Sequence, residues 1–563
     1  MFKVSKKILP FGATPDERQI NHMNMEKKVF FHFGINSFSN VEWGNGKEDP
    51  AAFAPKKVDT DQWIRVAKDA GFKLAILTAK HHDGFCLWQT AYSEHSIKNS
   101  PYQNGKGDIV RQFTDSCRKY GLKAGIYISP WDRNSPYWGK SEYSDYYADQ
   151  LTELVTNYGE IDEIWWDGAG SGETEYNWKL WADIISKHQP KALIFGPTPK
   201  SFGSSEYVSL RWVGNERGFA GKTHYASIDP DSDALEKTAN LNTGKIGGVR
   251  YLPAEVDVSV RPGWFYHASQ RDMVKTPRDL DDIWFHSVGR NAIMLLNFPP
   301  NTDGIIEEPD ATRAIQSNQR IEKMLEKDFA LGASVKTSVA AFSEETDAEN
   351  LTDGSYDTFF ASKETDKEAV FEISLPQKAR FNVLSVSEVF ELGERITEFE
   401  VKNKETGEVI ATGTSVGRKK MLRFPYVETS KIELYVKAEA QLVLRSISLY
   451  DYVAPEESGE TQYGGNLLEL DGASVELSNG GKEARLVFGG VYDYNYVQLK
   501  LTSDAPYEIF AFDGTNYYSV AKRNGNTSLQ TVALDTVKGS YQLKIKADSP
   551  FDMNQSFSVF MKK

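Results

Sequence analysis

Ile161-Asp162-Glu163-Ile164-Trp165-Trp166-Asp167-Gly168 is a short apolar run that ends on a carboxylate. It opens at once into a loop carrying Gly168, Gly170 and Gly172. Ile164, Trp165 and Trp166 favour a strand and bring large apolar area. A buried strand of this kind belongs to a parallel α/β fold, where the C-terminal strand ends face the ligand. Taken alone, Asp167 has two readings. It can cap a turn, as Asp often does after a strand, or it can be a nucleophile beside two tryptophans in a sugar site.

Outward from this stretch the pattern alternates strand and helix. Val29–Phe38, Leu74–Ala79 and Lys123–Ser129 read as strands before it. Asp59 or Thr60 caps a helix with Trp63, Val66, Ala67 and Ala70 at helical spacing, closed by Gly71. Asp108–Tyr120 is a second helix, closed by Gly121, and Glu142–Tyr158 is a third. Beyond it, Ala192–Gly196, Val208–Trp212, Glu255–Val260 and Ile293–Phe298 continue the strands. Trp178–Lys187 and Asp279–Val288 continue the helices, and Ala311–Leu325 is the closing helix. Strands and helices in this order predict a (β/α)8 TIM-like barrel over residues 1–330. Gly244-Lys245-Ile246-Gly247-Gly248 lacks the strand–loop–helix order of a phosphate cradle and reads as a plain loop.

After Leu331 the helical spacing gives way to short alternating runs such as Ile396–Val401 and Lys431–Val436. These predict two all-β sandwich domains, 331–452 and 466–563, joined by a linker over 453–465 rich in Pro, Glu, Ser and Gly.

The chain has 563 residues, a length that suggests two to four domains. Its net charge of −14 argues against nucleic acid and anionic membranes as partners. No apolar run approaches spanning length, and Met1–Pro15 shows no signal-peptide core. Cys86 and Cys117 form no disulfide framework or metal spacing, a usage that suits either the cytoplasm or an exported protein of this size. With 12 Trp, 27 Tyr and 31 Phe there are enough aromatics both to fill a core and to line a sugar site.

The predicted strand ends carry ring-bearing and acidic side chains. The first gives His32, followed by Glu42 and Trp43; the second runs into His81 and His82; the third carries Tyr127; the fourth ends at Trp166 and Asp167. Core packing does not account for four such ends on one rim. A zinc site made of His32, His81, His82 and Asp167 is disfavoured. Adjacent histidines on a strand point to opposite faces, and the first strand offers a lone His. A glycosidase needs a second carboxylate. Glu216, in Trp212-Val213-Gly214-Asn215-Glu216-Arg217-Gly218, is the leading candidate, and Glu255 is the runner-up.

Five motifs in register carry a family resemblance. They are Phe31-His32-Phe33-Gly34, Lys80-His81-His82-Asp83-Gly84-Phe85, Trp165-Trp166-Asp167-Gly168, Arg261-Pro262-Gly263-Trp264-Phe265 and Gly289-Arg290-Asn291 with Leu295-Leu296-Asn297. Over about residues 25 to 300 the chain resembles glycoside hydrolase family 29, the retaining α-L-fucosidases. The resemblance implies Asp167 as nucleophile, with His32, His81, His82, Tyr127, Arg261 and Trp264 lining a fucose pocket. Glu42, Trp43 and Trp166 join them. The element around Glu216 resembles the branch specific for α-1,3/1,4-linked fucose on Lewis-type glycans, where that glutamate is the acid/base. The implied partner is a fucosylated oligosaccharide or glycoconjugate, without membrane insertion, and the implied location is periplasmic or extracellular. No cofactor and no metal are expected at the catalytic centre. Ala348–Ser362 resembles discoidin-like sandwiches, some of which bind sugar and some a structural calcium. The alternatives are a broad-specificity fucosidase of the other branch, a hexosidase of another specificity, or an inactive carbohydrate-binding barrel.

Overall fold

The computed structural model describes residues 8–171, 174–230, 238–455, 468, 474–512, 516–525, 530–551 and 557–560. Eight parallel strands form one sheet: β1 Lys27–Phe31, β2 Leu74–Lys80, β3 Lys123–Ile128, β4 Glu163–Trp165, β5 Leu193–Phe195, β6 Arg211–Trp212, β7 Ala254–Ser259 and β8 Ile293–Asn297. The pairing runs from β5 through β4, β3, β2, β1, β8 and β7 to β6. The ends meet: Phe195 bridges Leu210 in parallel, and the Leu210 amide donates to Ile194 O at 3.1 Å. The sheet is therefore a TIM-like barrel.

Three of the helices between strands, those that follow β1, β2 and β4, begin on side-chain caps. Asp59 accepts from the Gln62 amide (2.9 Å), Asp108 from Arg111 (2.8 Å) and Asn177 from Leu180 (3.1 Å), each satisfying an amide that the first turn leaves free. Gly121 closes the second helix with φ +78°, a backbone state that costs a residue with a Cβ. Alternation along the strands divides the core in two. Phe30, Ile76, Tyr127, Trp165, Phe195 and Leu295 fill the barrel. Ile164, Trp166 and the apolar helix faces form the larger layer outside it.

Two predicted strands differ from the sequence reading. β1 stops at Phe31, because the next amide, of His32, donates to the Asn297 side chain (3.1 Å); a short helix, Ile35–Ser39, follows. β6 is only Arg211–Trp212, and the buried Arg211 guanidinium serves the carbonyls of Tyr225, Ala226, Leu241 and Leu252 in the segments beyond.

A second hydrophobic core lies within a seven-stranded antiparallel sheet between Ser334 and Tyr450. Its long strands, Glu368–Glu388 and Lys420–Ala438, shift register between Ser374 and Ala379 and between Phe381 and Val383, which lets them bend. A third core lies within a six-stranded antiparallel sheet between Ser474 and Phe560. Most of the predicted linker, from residue 456 on, lies outside the described residues.

Candidate active site

The C-terminal strand ends converge as the barrel requires. Asp167, just past β4, accepts from Tyr127 Oη at 2.9 Å through Oδ2 and from the Ala169 amide at 2.7 Å through Oδ1. This aspartate closes a turn and also presents a carboxylate, part-open to solvent, at the barrel mouth. The turn packs closely, for a Cβ on Gly170 (φ +72°) would lie 2.6 Å from the Trp131 ring. Burial, then the charge of Asp167, holds the Tyr127 phenol far above its usual range, so it stays a donor.

The histidines are fixed by a second layer of hydrogen bonds. Asn297, at the end of β8, donates through Nδ2 to Ser259 Oγ (2.9 Å) and Trp264 O (2.8 Å). Its Oδ1 is therefore an acceptor, and it meets His32 Nδ1 at 2.9 Å. Ser129 Oγ donates to Trp131 O (2.7 Å), so it accepts from His82 Nδ1, also at 2.7 Å. In the neutral tautomers these bonds select, Nε2 of both rings is a free acceptor. Burial keeps His32 neutral, lowering it to about 4, and lowers His82 and His81 as well. His82 Nε2 lies 3.8 Å from Asp167 Oδ2, too far for a hydrogen bond. Ring acceptors next to a carboxylate suit the hydroxyls of a neutral sugar.

His81 and His82 stand side by side, ring centroids 4.1 Å apart. The expectation that they face opposite ways fails because β2 ends at Lys80 and alternation ends with it. Trp264 tilts against His32 (5.0 Å), and Trp43, 55 % exposed, meets His82 and Trp131 edge-on at the rim. These rings supply the apolar walls.

Glu216 lies on the loop after β6, exposed at the mouth, where Oε2 accepts from Trp264 Nε1 at 3.2 Å. The protein packed around its carboxyl, followed by the charges of Asp167 and Glu42, pushes it up to about 7 against the pull of Trp264. Asp167 and Glu216 thus feel each other across the pocket. Glu42 accepts from the amides of Trp264 (2.8 Å) and Phe265 (3.3 Å) and from His267, so it holds the loop that carries Trp264.

Three expected site residues lie elsewhere. Trp166 is 0 % exposed and packs outside the sheet against Trp178 and Trp181, because alternation turns Trp165 inward and Trp166 out. The Arg261 guanidinium turns away from the barrel axis to Asp310 (2.6 and 2.8 Å) and Glu307 (2.8 Å). Glu255 is buried at the barrel floor, bound to Lys28 and accepting from Trp165 Nε1 at 3.0 Å, so it cannot serve as acid/base at the mouth. With Glu163 and His22 it makes the one group of potential metal ligands found among the described residues, and the Lys28 ammonium bonds to both carboxylates there. In the sequence Asn297 is legible only as part of a family motif, with no role of its own in the pocket assigned to it. Asn297 carries the signal that singled out Asp167, a polar side chain at the C-terminal end of a barrel strand.

Residues 13–319 match the family model described as Alpha-L-fucosidase. The chain belongs to the α-L-fucosidase family, glycoside hydrolase family 29. It is 37 % identical over 455 residues to Alpha-L-fucosidase 1 of Arabidopsis thaliana, covering 78 % of this chain and 88 % of that one. A solved glycoside hydrolase 29 family member from an unknown rumen bacterium superposes with a TM-score of 0.72 at 29 % identity, covering 98 % of this chain and 100 % of its own. A Ruminococcus gnavus GH29 fucosidase in complex with fucose gives 0.73 at 29 % identity, covering 80 % and 98 %. This α-L-fucosidase is a glycoside hydrolase, and no helix among its described residues is long and apolar enough to cross a membrane.

Proposed function

We propose that the enzyme is a retaining exo-α-L-fucosidase that removes α-1,3/1,4-linked fucose from branched glycans, with Asp167 as nucleophile and Glu216 as acid/base. The observation that carries this reading is Glu216 itself. It is a mouth carboxyl tethered by Trp264, and the protein packed around its carboxyl and the charge of Asp167 push it up to about 7. At neutral pH a large fraction is protonated and able to donate while Asp167 attacks.

In the first step an Asp167 oxygen bonds to the anomeric carbon, the glycosidic C–O bond breaks, and the Glu216 proton passes to the leaving oxygen. In the second, the Glu216 carboxylate takes a proton from water, the water oxygen bonds to the anomeric carbon, and Asp167 is released. Tyr127 orients Asp167 by its hydrogen bond. His32 and His82 accept from sugar hydroxyls, and Trp264 and Phe265 border the same space, where the apolar methyl edge of fucose can be buried. Retention calls for carboxyl groups about 5–5.5 Å apart in the working complex.

The linkage preference is supported by the Trp212-Val213-Gly214-Asn215-Glu216 element and by the open rim at Trp43 and Trp131. The test is hydrolysis of a Lewis-type trisaccharide beside an aryl α-L-fucoside. Cleavage of the trisaccharide with little aryl activity agrees with this branch. Efficient aryl cleavage without the trisaccharide points to the broad-specificity branch, and cleavage of neither returns the barrel to a binding role.

A further inference from the structure

The residue after Glu216 is where the C-terminal β unit reaches the barrel mouth. Arg217 is only 2 % exposed. Its guanidinium lies over Phe219 of its own loop at 4.3 Å and over two rings of the C-terminal sheet, Phe512 at 5.2 Å and Tyr541 at 5.3 Å. Nη1 donates to Phe512 O at 3.3 Å, and the two rings meet edge to face at 5.5 Å. A guanidinium removed from water is held well by aromatic faces and a carbonyl. Asn215 closes the turn around it, accepting from the Arg217 amide (3.1 Å) and donating to Phe219 O (3.1 Å). With residues 215 and 217 buried, Glu216 between them is turned outward to the mouth. The loop that supplies Trp264 makes the same approach, since its Met273 packs against the apolar core of the C-terminal unit. Glu216 and its hydrogen-bond donor both sit on loops that lean on one distant domain.

We propose that the C-terminal β unit positions the acid/base: Phe512 and Tyr541 clamp Arg217, and through it they fix where the Glu216 carboxyl stands relative to the leaving oxygen. Arg217, Phe512 and Tyr541 are positioning residues. The proposal rests on Glu216 being the acid/base.

The test uses leaving-group dependence in the full-length enzyme, because only a poor leaving group needs the proton. kcat/KM is measured for 4-nitrophenyl α-L-fucoside and for a Lewis-type trisaccharide in Phe512→Ala, Tyr541→Ala and Tyr541→Phe, with Glu216→Ala as reference. A misplaced acid should cost roughly ten- to hundredfold on the trisaccharide and far less on the aryl fucoside, and Tyr541→Phe, which keeps the ring, should recover the trisaccharide rate. Equal losses on both substrates, or none on either, overturn the clamp. If Glu216→Ala itself lacks leaving-group dependence, the acid/base assignment fails; if it shows that dependence and the domain variants do not, only the clamp fails. Should Phe512→Ala not fold, the Tyr541 pair decides alone.

Discussion

Asp167 and Glu216 are both carboxylates at one barrel mouth, and the different roles proposed for them follow from their different surroundings. Asp167 accepts from a phenol through one oxygen and from an amide through the other, so both oxygens are held in place. Removing the phenol in Tyr127→Phe should cost about 1.5–3 kcal/mol of stabilisation at the nucleophile, a roughly ten- to hundredfold fall in kcat/KM, with the fold intact by circular dichroism. Glu216 must be protonated to donate. With its carboxyl raised to about 7, the alkaline limb of kcat/KM against pH should fall through about that value. Trp264 donates to the ionised carboxylate and so lowers this pKa. In Trp264→Phe that support is lost, and the alkaline limb should move to higher pH. A limb that stays in place, or moves down, would take the titration away from Glu216.

At the level of elements, the sheet puts function at one end and a sealed charge cluster at the other. Lys28, on β1, bonds to Glu163 on β4 and Glu255 on β7, and all three side chains are fully buried. Burial, then the neighbouring Glu255, raises Glu163 well above 4.5. Lys28→Met leaves two carboxyls without their cation and should destabilise the barrel by about 3–5 kcal/mol in chemical denaturation. The wild-type floor already resists ionising Glu163, and the variant, without the Lys28 charge that favours ionisation, resists more. This loss should therefore grow only once pH passes the raised value at which Glu163 ionises in the wild-type fold. A small loss that does not vary with pH would mean the cluster is not a buried ion pair. Strand ends were legible in the sequence because apolar runs stop abruptly at polar residues, as at Trp166-Asp167. Facing was less legible. Alternation separates Trp165 from Trp166 only once the inward side is known, and it misleads at His81-His82, where the strand has already ended. Arg261 has the right position in its motif and the wrong direction, because the carboxylates that capture it, Glu307 and Asp310, come 46 and 49 residues later in the chain.

Across the whole molecule, the β units are built into the barrel enzyme. The second sheet grips the barrel through Asn291, whose side chain donates to Glu394 and accepts from the Arg418 amide at 2.8 Å, and through the Met421 amide on Gly289 O at 2.8 Å. The Gly289-Arg290-Asn291 motif therefore serves a domain interface while Asn297, a few residues on, serves the pocket. The third sheet reaches the Glu216 loop through contacts spanning 295 residues of sequence, a separation no local pattern can reveal. The proposed division of labour between the two carboxylates is tested most directly by the anomeric configuration of rescued products. Asp167→Ala and Glu216→Ala are each assayed with an activated aryl fucoside and added azide. In the first, azide should replace the nucleophile and give β-fucosyl azide; in the second, it should attack the covalent fucosyl-enzyme and give α-fucosyl azide. The same anomer from both variants, or no azide adduct from Asp167→Ala, would contradict the assignment.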